Sequence, residues 1–204
     1  MKFCALILAG GRSARMGKVK PLLPLPRKNA GPRSALATLA CLYSSAGVRD
    51  VLVVSGFHAE AVEGAARALS LAVARNLRPE RGMFSSVRVG LEAAPADCDG
   101  IFVHPADVPL VGGHTLKLLI EAASENFDAV LIPCHKGRPG HPPLLPAVFR
   151  EAVLEHAGGG GLRAALAGLP GREVDTPDPF ILEDMDRPED YRRIERLARI
   201  GSVP

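Results

Sequence analysis

Residues Phe3 to Ala9 form an unbroken apolar run that stops at Gly10-Gly11. A strand with one wet face alternates apolar and polar residues. A run without alternation needs cover on both faces, as in the strands of a parallel sheet. Such a strand demands helices above and below it, which points to an α/β architecture. Asp50 to Gly56 and Ile101 to His104 are further apolar runs of strand length, Leu71 to Asn76 and Asp128 to Pro133 are similar, and Phe180 to Leu182 reads as a late strand. Segments of helical character lie between them: Leu36, Leu39, Ala40 and Tyr43 after Ser34, the Ala/Glu-rich stretch His58 to Leu69, and Met83, Val87 and Leu91 after Gly82. Leu116, Leu119, Ile120 and Ala123 form another stripe, residues 147–168 read as helix with a break at Gly158–Gly161, and Tyr191, Ile194 and Leu197 mark a last helix. Residues 12–33 are basic and proline-rich and read as loop, and Lys136 to Pro146 reads as hairpin-like. This alternation predicts βαβ units with a parallel sheet, right-handed crossovers and helices on both faces. No repeat or linker divides the chain, so one domain over residues 1–204 is expected.

Composition narrows the function classes. Apolar residues make up 47%, enough to offset ordering entropy and exclude a disordered chain. No apolar stretch reaches the roughly 18 residues of a membrane span. The net charge of +3 is too mild for a nucleic-acid binder but suits an anionic small substrate. Neither nucleic acid nor membrane is therefore expected as a partner. Cys4, Cys41, Cys98 and Cys134 stand far apart, without zinc spacing, and fit free thiols in a reducing cytoplasm.

In parallel sheets ligands sit beyond the carboxyl ends of strands. The first strand leads into Leu8-Ala9-Gly10-Gly11-Arg12-Ser13-Ala14-Arg15-Met16-Gly17-Lys18-Val19-Lys20. Glycines let backbone N–H groups approach an anion, and Arg15 and Lys20 add charge suited to phosphate. Counting from Gly11, Met16 stands where a P-loop needs its second glycine, and no dinucleotide G-x-G-x-x-G can be read either. The competing reading is a glycine-rich turn with solvated basic residues. Asp107, just past the fourth strand, either faces the cleft as a metal ligand or forms a turn before Val108-Pro109.

Residues 8–20 resemble the opening L-A-G/A-G-x-S-x-R-M-G-x-x-K of the MobA-like NTP transferase family, which builds molybdenum-cofactor dinucleotides. The likeness continues in order along the chain. Asn76…Gly82-Met83-Phe84-Ser85-Ser86, Pro105-Ala106-Asp107-Val108-Pro109-Leu110, Gly137-Arg138-Pro139-Gly140-His141-Pro142 and Asp184-Met185-Asp186-Arg187-Pro188-Glu189-Asp190 are each similar to a family segment. Two departures stand out: residues 25–34 replace a short segment, and Arg187 stands where Thr is usual.

The resemblance implies a three-layer α/β/α, Rossmann-like domain with a mostly parallel sheet, and transfer of a nucleoside monophosphate from an NTP to a phosphate-bearing, molybdopterin-type acceptor, with release of pyrophosphate. It implies Mg²⁺ or Mn²⁺ as cofactor and hand-over of product to a molybdoenzyme or its chaperone. The attacking group is already an oxyanion, so such chemistry needs no nucleophilic side chain. It needs positioning and charge neutralisation. Arg15, Lys20 and Asp107 are the implied catalytic residues, with Lys18 a further cation. Leu8, Ala9, Gly10, Gly11, Arg12, Ser13, Arg15, Lys20 and Asn76 would bind the nucleotide. Asp107 would hold metal together with Asp184 or Asp186, although Asp186 could instead cap the last helix with Glu189 closing a capping box. Ser85, Ser86 and His141 would bind the acceptor; the alternatives are helix capping for the serines and a structural role for His141. The G-M-F-S-S and G-H-P stretches favour CTP and Leu8-Ala9-Gly10-Gly11 favours GTP; CTP is the leading expectation. A sugar phosphate or other phosphorylated metabolite is an alternative acceptor, and a non-catalytic cofactor carrier is the alternative class.

Overall fold

A computed structural model describes residues 1–28 and 30–200. Asn29, within the 25–34 departure, and residues 201–204, at the end of the expected domain, lie outside the described residues. The elements run β1 (Phe3–Leu8), β2 (Pro24–Arg27), β3 (Ala30–Ser34), α1 (Ala35–Ser45), β4 (Asp50–Ser55), α2 (Ala59–Ala68), β5 (Ala72–Arg75), α3 (Met83–Ala93), β6 (Gly100–Pro105) and α4 (Gly113–Glu125). They continue with β7 (Val130–His135), β8 (Arg138–Pro139), β9 (Leu144–Pro146), α5 (Arg150–Glu155), α6 (Gly161–Ala167), β10 (Gly171–Asp175) and α7 (Pro188–Ile200).

The main sheet has the order β10-β7-β9-β6-β1-β4-β5, with β8 paired to β7. β1 runs parallel to β4 and β6, β4 to β5, and β7 to β10. Only β8 and β9 run against their neighbours in this sheet. The central strand is covered on both faces as its unbroken apolar run requires. Ala5 and Ile7 pack with α1, α2 and α4, through Leu36, Val62 and Leu116; Cys4, Leu6 and Leu8 pack with α3, α5 and α6, through Val87, Val153 and Ala165. All three layers of the expected α/β/α sandwich are present.

Two local expectations need correction, and two further details go beyond what was expected. The basic, proline-rich stretch is not loop throughout: β2 and β3 form an antiparallel hairpin. It holds because Leu25 is wholly buried in a third cluster with Met185, Ile194 and Ala198, and Tyr191 Oη donates to Pro24 O at 2.6 Å. Pro179–Leu182 is a 3₁₀ turn rather than a strand, started by the Asp178 carboxylate accepting from Phe180 N. The edge strand β10 does not stand out by hydrophobicity, since Gly171-Arg172-Glu173-Val174-Asp175 keeps no residue fully buried. Residues 147–168 divide into a 3₁₀ turn (Ala147–Phe149), α5 and α6.

The order of strands places a crevice. From β1 the chain crosses to β4 and β5 on one side, then returns to β6 on the other. The loops leaving β1 and β6 therefore diverge at a topological switch point, where α/β sheets bind ligands. No helix among the described residues is long and apolar enough to cross a membrane.

Candidate active site

A cleft of about 350 Å³ opens at this switch point. The β1 loop lines one wall from Leu8 to Arg15, with Lys20; Pro105, Ala106, Asp107 and Asp186 line another; Phe57, Pro79, Gly82, Met83 and Ser86 close the remaining side.

The loop is built in two stages. Its start stays in the sheet, with Ala9 N donating to Val54 O at 2.9 Å and Ala106 N to Leu8 O at 3.0 Å. Phe57 N donates to Gly10 O, and a Cβ on Gly56 would lie 2.6 Å from that oxygen. The two strand ends thus approach more closely than any side chain permits. The second stage is organised by Ser13, whose carbonyl accepts from Met16 N and Gly17 N and whose hydroxyl accepts from Lys20 N. This turn delivers Lys20 back to the cleft. The Arg12 guanidinium stacks 4.8 Å from the centre of the Phe57 ring, and Arg12 O is bonded to the His58 ring.

Lys20, Asp107 and Asp186 meet at the cleft. Lys20 Nζ donates to Asp107 Oδ2 at 3.1 Å and to Asp186 Oδ1 at 2.6 Å, and Arg15 Nη1 reaches Asp186 Oδ2 at 3.1 Å. Lys20 is largely sequestered, with 15% of its side chain exposed, whereas Arg15 is 67% exposed and free to reorient. Burial alone would lower the Lys20 ammonium, but the hydrogen bond to Asp186 and the charge of Asp107 outweigh it and raise it. The same hydrogen bond lowers Asp186, against the opposing effect of burial.

The segment carrying Asp186 is pinned where it is needed. Met185 N donates to Asp107 O at 2.9 Å, and the Met185 side chain is fully buried. Asp190, not Asp186, serves the start of α7, accepting from Arg187 N at 2.9 Å. The capping reading of Asp186 is thereby replaced, and its carboxylate is available to the cleft. Asp184 makes no ion pair among the described residues. Burial, and then the charges of Asp186, Asp107 and Asp190, push its carboxyl up.

Among the described residues no three His, Cys, Asp or Glu side chains form a self-sufficient metal cage. Asp107 and Asp186 nevertheless both contact one cation, the Lys20 ammonium, which lies between them. This donor set is hard, anionic and only partly enclosed, which suits a cation that completes its shell with phosphate oxygens.

The other expected site residues fall in different places. Ser86 lines the cleft from below the loop: a Cβ on Gly10 would lie 2.9 Å from Ser86 Oγ. Asn76, 4% exposed, donates to Ser85 Oγ at 2.8 Å and Ser86 Oγ at 3.0 Å and accepts from Arg78 N. Its amide is thus spent on holding Ser86 in place, and neither Asn76 nor Ser85 lines the cleft. Ser85 Oγ also donates to Gly82 O at 2.7 Å, the local bond expected of a helix-start serine. His141 does not line the cleft, and its buried Nδ1 has no hydrogen-bond partner among the described residues; burial lowers its pKa, opposed by the charge of Asp107. Phe57 and Pro79 carry no signal in the sequence reading and Met83 enters it only within the Gly82–Ser86 motif, although Phe57 lies just past the end of β4, where the fold puts ligand contacts.

A doubly wound sheet with paired carboxylates and a cationic loop at its switch point defines a nucleotide-handling α/β enzyme. The family description "MobA-like NTP transferase domain" matches residues 5–174, and the chain belongs to that family. It is a nucleotidyltransferase, as its relatives are. Molybdenum cofactor cytidylyltransferase of Escherichia coli K12 is 25% identical over 187 residues, covering 91% of this chain and 92% of that protein. The 2-C-methyl-D-erythritol 4-phosphate cytidylyltransferase of Streptomyces avermitilis is 31% identical over 199 residues, covering 93% and 69%. Among solved structures, a nucleotidyl transferase of Methanothermobacter thermautotroptrophicus superposes with a TM-score of 0.79 at 25% identity, covering 98% of this chain and 99% of that one. The manganese complex of Rv0371C from Mycobacterium tuberculosis gives 0.74 at 21% identity, covering 96% and 99%.

Proposed function

We propose that this nucleotidyltransferase, acting as one catalytic domain, moves CMP from CTP onto the phosphate of a molybdopterin-type acceptor, releasing pyrophosphate. The observation that carries the reading is the Lys20 ammonium held between Asp107 and Asp186 beside a glycine-rich loop. In this account an acceptor phosphate oxygen attacks the α-phosphorus. A new P–O bond forms, the α–β bridging bond breaks, and its electron pair leaves with pyrophosphate. No proton has to be removed, because the acceptor oxygen is already anionic.

The loop amides from Gly10 to Ser13 face the polyphosphate, and Arg15 and Lys20 neutralise the departing pyrophosphate. Asp107 and Asp186 would hold Mg²⁺ or Mn²⁺, with Asp184 near enough to feel their charge. A bound divalent ion supplies charge neutralisation across the triphosphate. Lys20, paired with both carboxylates in the free protein, would turn its ammonium to phosphate oxygens when the nucleotide binds. Leu8, Ala9 and Gly10 offer backbone groups to the base. Cytoplasmic action is supported by four unpaired cysteines among the described residues, and hand-over of the product to a molybdoenzyme or its chaperone completes the reading.

Two other readings share the same loop and carboxylates. GTP is favoured by Leu8-Ala9-Gly10-Gly11, and a different phosphorylated acceptor by the 31% identity to a cytidylyltransferase acting on a sugar-alcohol phosphate. Purified protein incubated with Mg²⁺, labelled CTP or GTP, and either molybdopterin or 2-C-methyl-D-erythritol 4-phosphate separates them. Labelled dinucleotide from CTP and molybdopterin alone is the expected product. Product from the erythritol phosphate alone overturns the acceptor assignment, and product from GTP alone overturns the base assignment.

A further inference from the structure

A second concavity, of about 590 Å³, lies across the Asn76–Ser85 segment from the reaction cleft. Arg75, Arg78, Arg81 and Arg88 line it, with Ser85 at its wall and Glu92 as its one carboxylate. Arg75 is committed to the buried Glu63, through bonds of 2.6 and 2.8 Å. The guanidiniums of Arg78, Arg81 and Arg88 form no ion pair among the described residues. Three forked cations without an ion pair among the described residues thus share one hollow with a single carboxylate, in a chain whose net charge is only +3. Charges of one sign concentrated in a concavity repel one another, and nothing in the fold requires them there; Arg81, Ser85, Arg88 and Glu92 are simply spaced to share one side of α3 and its approach. A multiply charged anion resolves that repulsion.

We propose that this hollow is a binding site for a small phosphoryl anion, such as an oligophosphate or a phosphate monoester, separate from the reaction cleft. Guanidinium forks match phosphate oxygens in pairs, and the Ser85 hydroxyl lies among them. The size falls within the range of small-ligand pockets. Concavity separates this reading from docking of an acidic protein, which needs a broad, flat patch. The site is not isolated from the reaction. Asn76 and Ser85 line it, and the Asn76 amide bonds both Ser85 and the cleft residue Ser86, which supports Gly10. An anion held here therefore sits beside the hydrogen bonds that position Ser86, whose Oγ packs close against Gly10.

Calorimetric titration with inorganic pyrophosphate, without divalent metal and at about 0.15 M salt, tests the site. Wild-type protein should bind two equivalents. Arg81→Gln/Arg88→Gln should weaken one of them by roughly tenfold or more while nucleotidyl transfer at saturating substrate persists. Glu92→Gln should tighten the same equivalent by a few fold, which loss of structure would not do. All three positions are exposed, and far-ultraviolet dichroism verifies that the variants fold. A single equivalent indifferent to these substitutions would overturn the proposal. So would unchanged pyrophosphate binding together with arginine-dependent binding of a Glu-rich peptide, which would make the hollow a protein-docking surface.

Discussion

The ammonium of Lys20 lies 2.6 Å from Asp186 Oδ1 although 166 positions separate them in the chain. The loop after the first strand and the segment before the last helix are thereby joined at one point in the cleft. Replacing Lys20 with Met removes the buried cation between two carboxylates. Turnover should fall by roughly 10²–10³-fold, the usual cost of removing one charge-stabilising donor. Steady-state pyrophosphate release measures it, and a fall of less than threefold would remove Lys20 from the machinery.

The two candidate metal acids should behave differently. Asp107→Asn and Asp186→Asn should each raise the Mg²⁺ concentration needed for half-maximal rate by roughly tenfold or more. Asp184→Asn should change it only a few fold, because Asp184 does not share the Lys20 contact. Chemical denaturation should register less than about 1 kcal/mol for the Asp186 variant, whose ion pairs reach solvent. A metal dependence governed by Asp184 instead would reverse the assignment.

Gly56→Ala tests the closeness of the strand ends. The added methyl would sit 2.6 Å from Gly10 O and 2.8 Å from Gly10 Cα, both backbone atoms. The backbone must shift, at a cost of about 1–3 kcal/mol. Urea midpoints read the stability loss, and nucleotide affinity should fall with it because Gly10 lines the cleft. A variant with wild-type midpoint and affinity would mean that the loop tolerates displacement.

Acid should weaken the fold before its carboxylates titrate. His104 is fully buried, its ring between Tyr43 Oη and Val108 O, each at 2.8 Å. Burial pushes its pKa down to about 3, against the favourable bond to Val108. The unfolded chain gains this proton near pH 6.5 and the folded one does not, so stability declines as pH falls from about 6.5 toward 3. The limiting slope is about 1.4 kcal/mol per pH unit for one such group. His141, lowered by burial, adds in the same direction. Urea unfolding between pH 7 and 5 should show this decline, and His104→Gln should flatten it.

The parts of the fold written in apolar runs were legible. Phe3 to Ala9 and Ile101 to His104 announce strands covered on both faces, and Leu36, Leu39 and Tyr43 announce α1, because burial leaves a periodic trace. The hairpin at Pro24–Ser34 was not, since its one deep anchor, Leu25, is hidden among prolines and its support comes from distant α7. β10 lacks a trace because it is a polar edge strand. In the site, Arg15, Lys20 and Asp107 are marked by residue type and position after strands, whereas Asp186 comes only through the family resemblance and stands level with Asp184; the structure brings Arg15, Lys20, Asp107 and Asp186 into contact. The division of labour among Asn76, Ser85 and Ser86 was hidden, because it depends on which hydroxyl sits under Gly10. Phe57 carries no charge or motif to mark it, so only its place in the cleft lining reveals it.

The most direct trial of the central claim is calorimetric titration of CTP and GTP, each with and without Mg²⁺, into wild-type and Asp107→Ala/Asp186→Ala protein. Metal should tighten nucleotide binding at least tenfold in the wild type and leave the double variant unchanged. Nucleotide affinity indifferent both to Mg²⁺ and to loss of the two carboxylates would contradict the account.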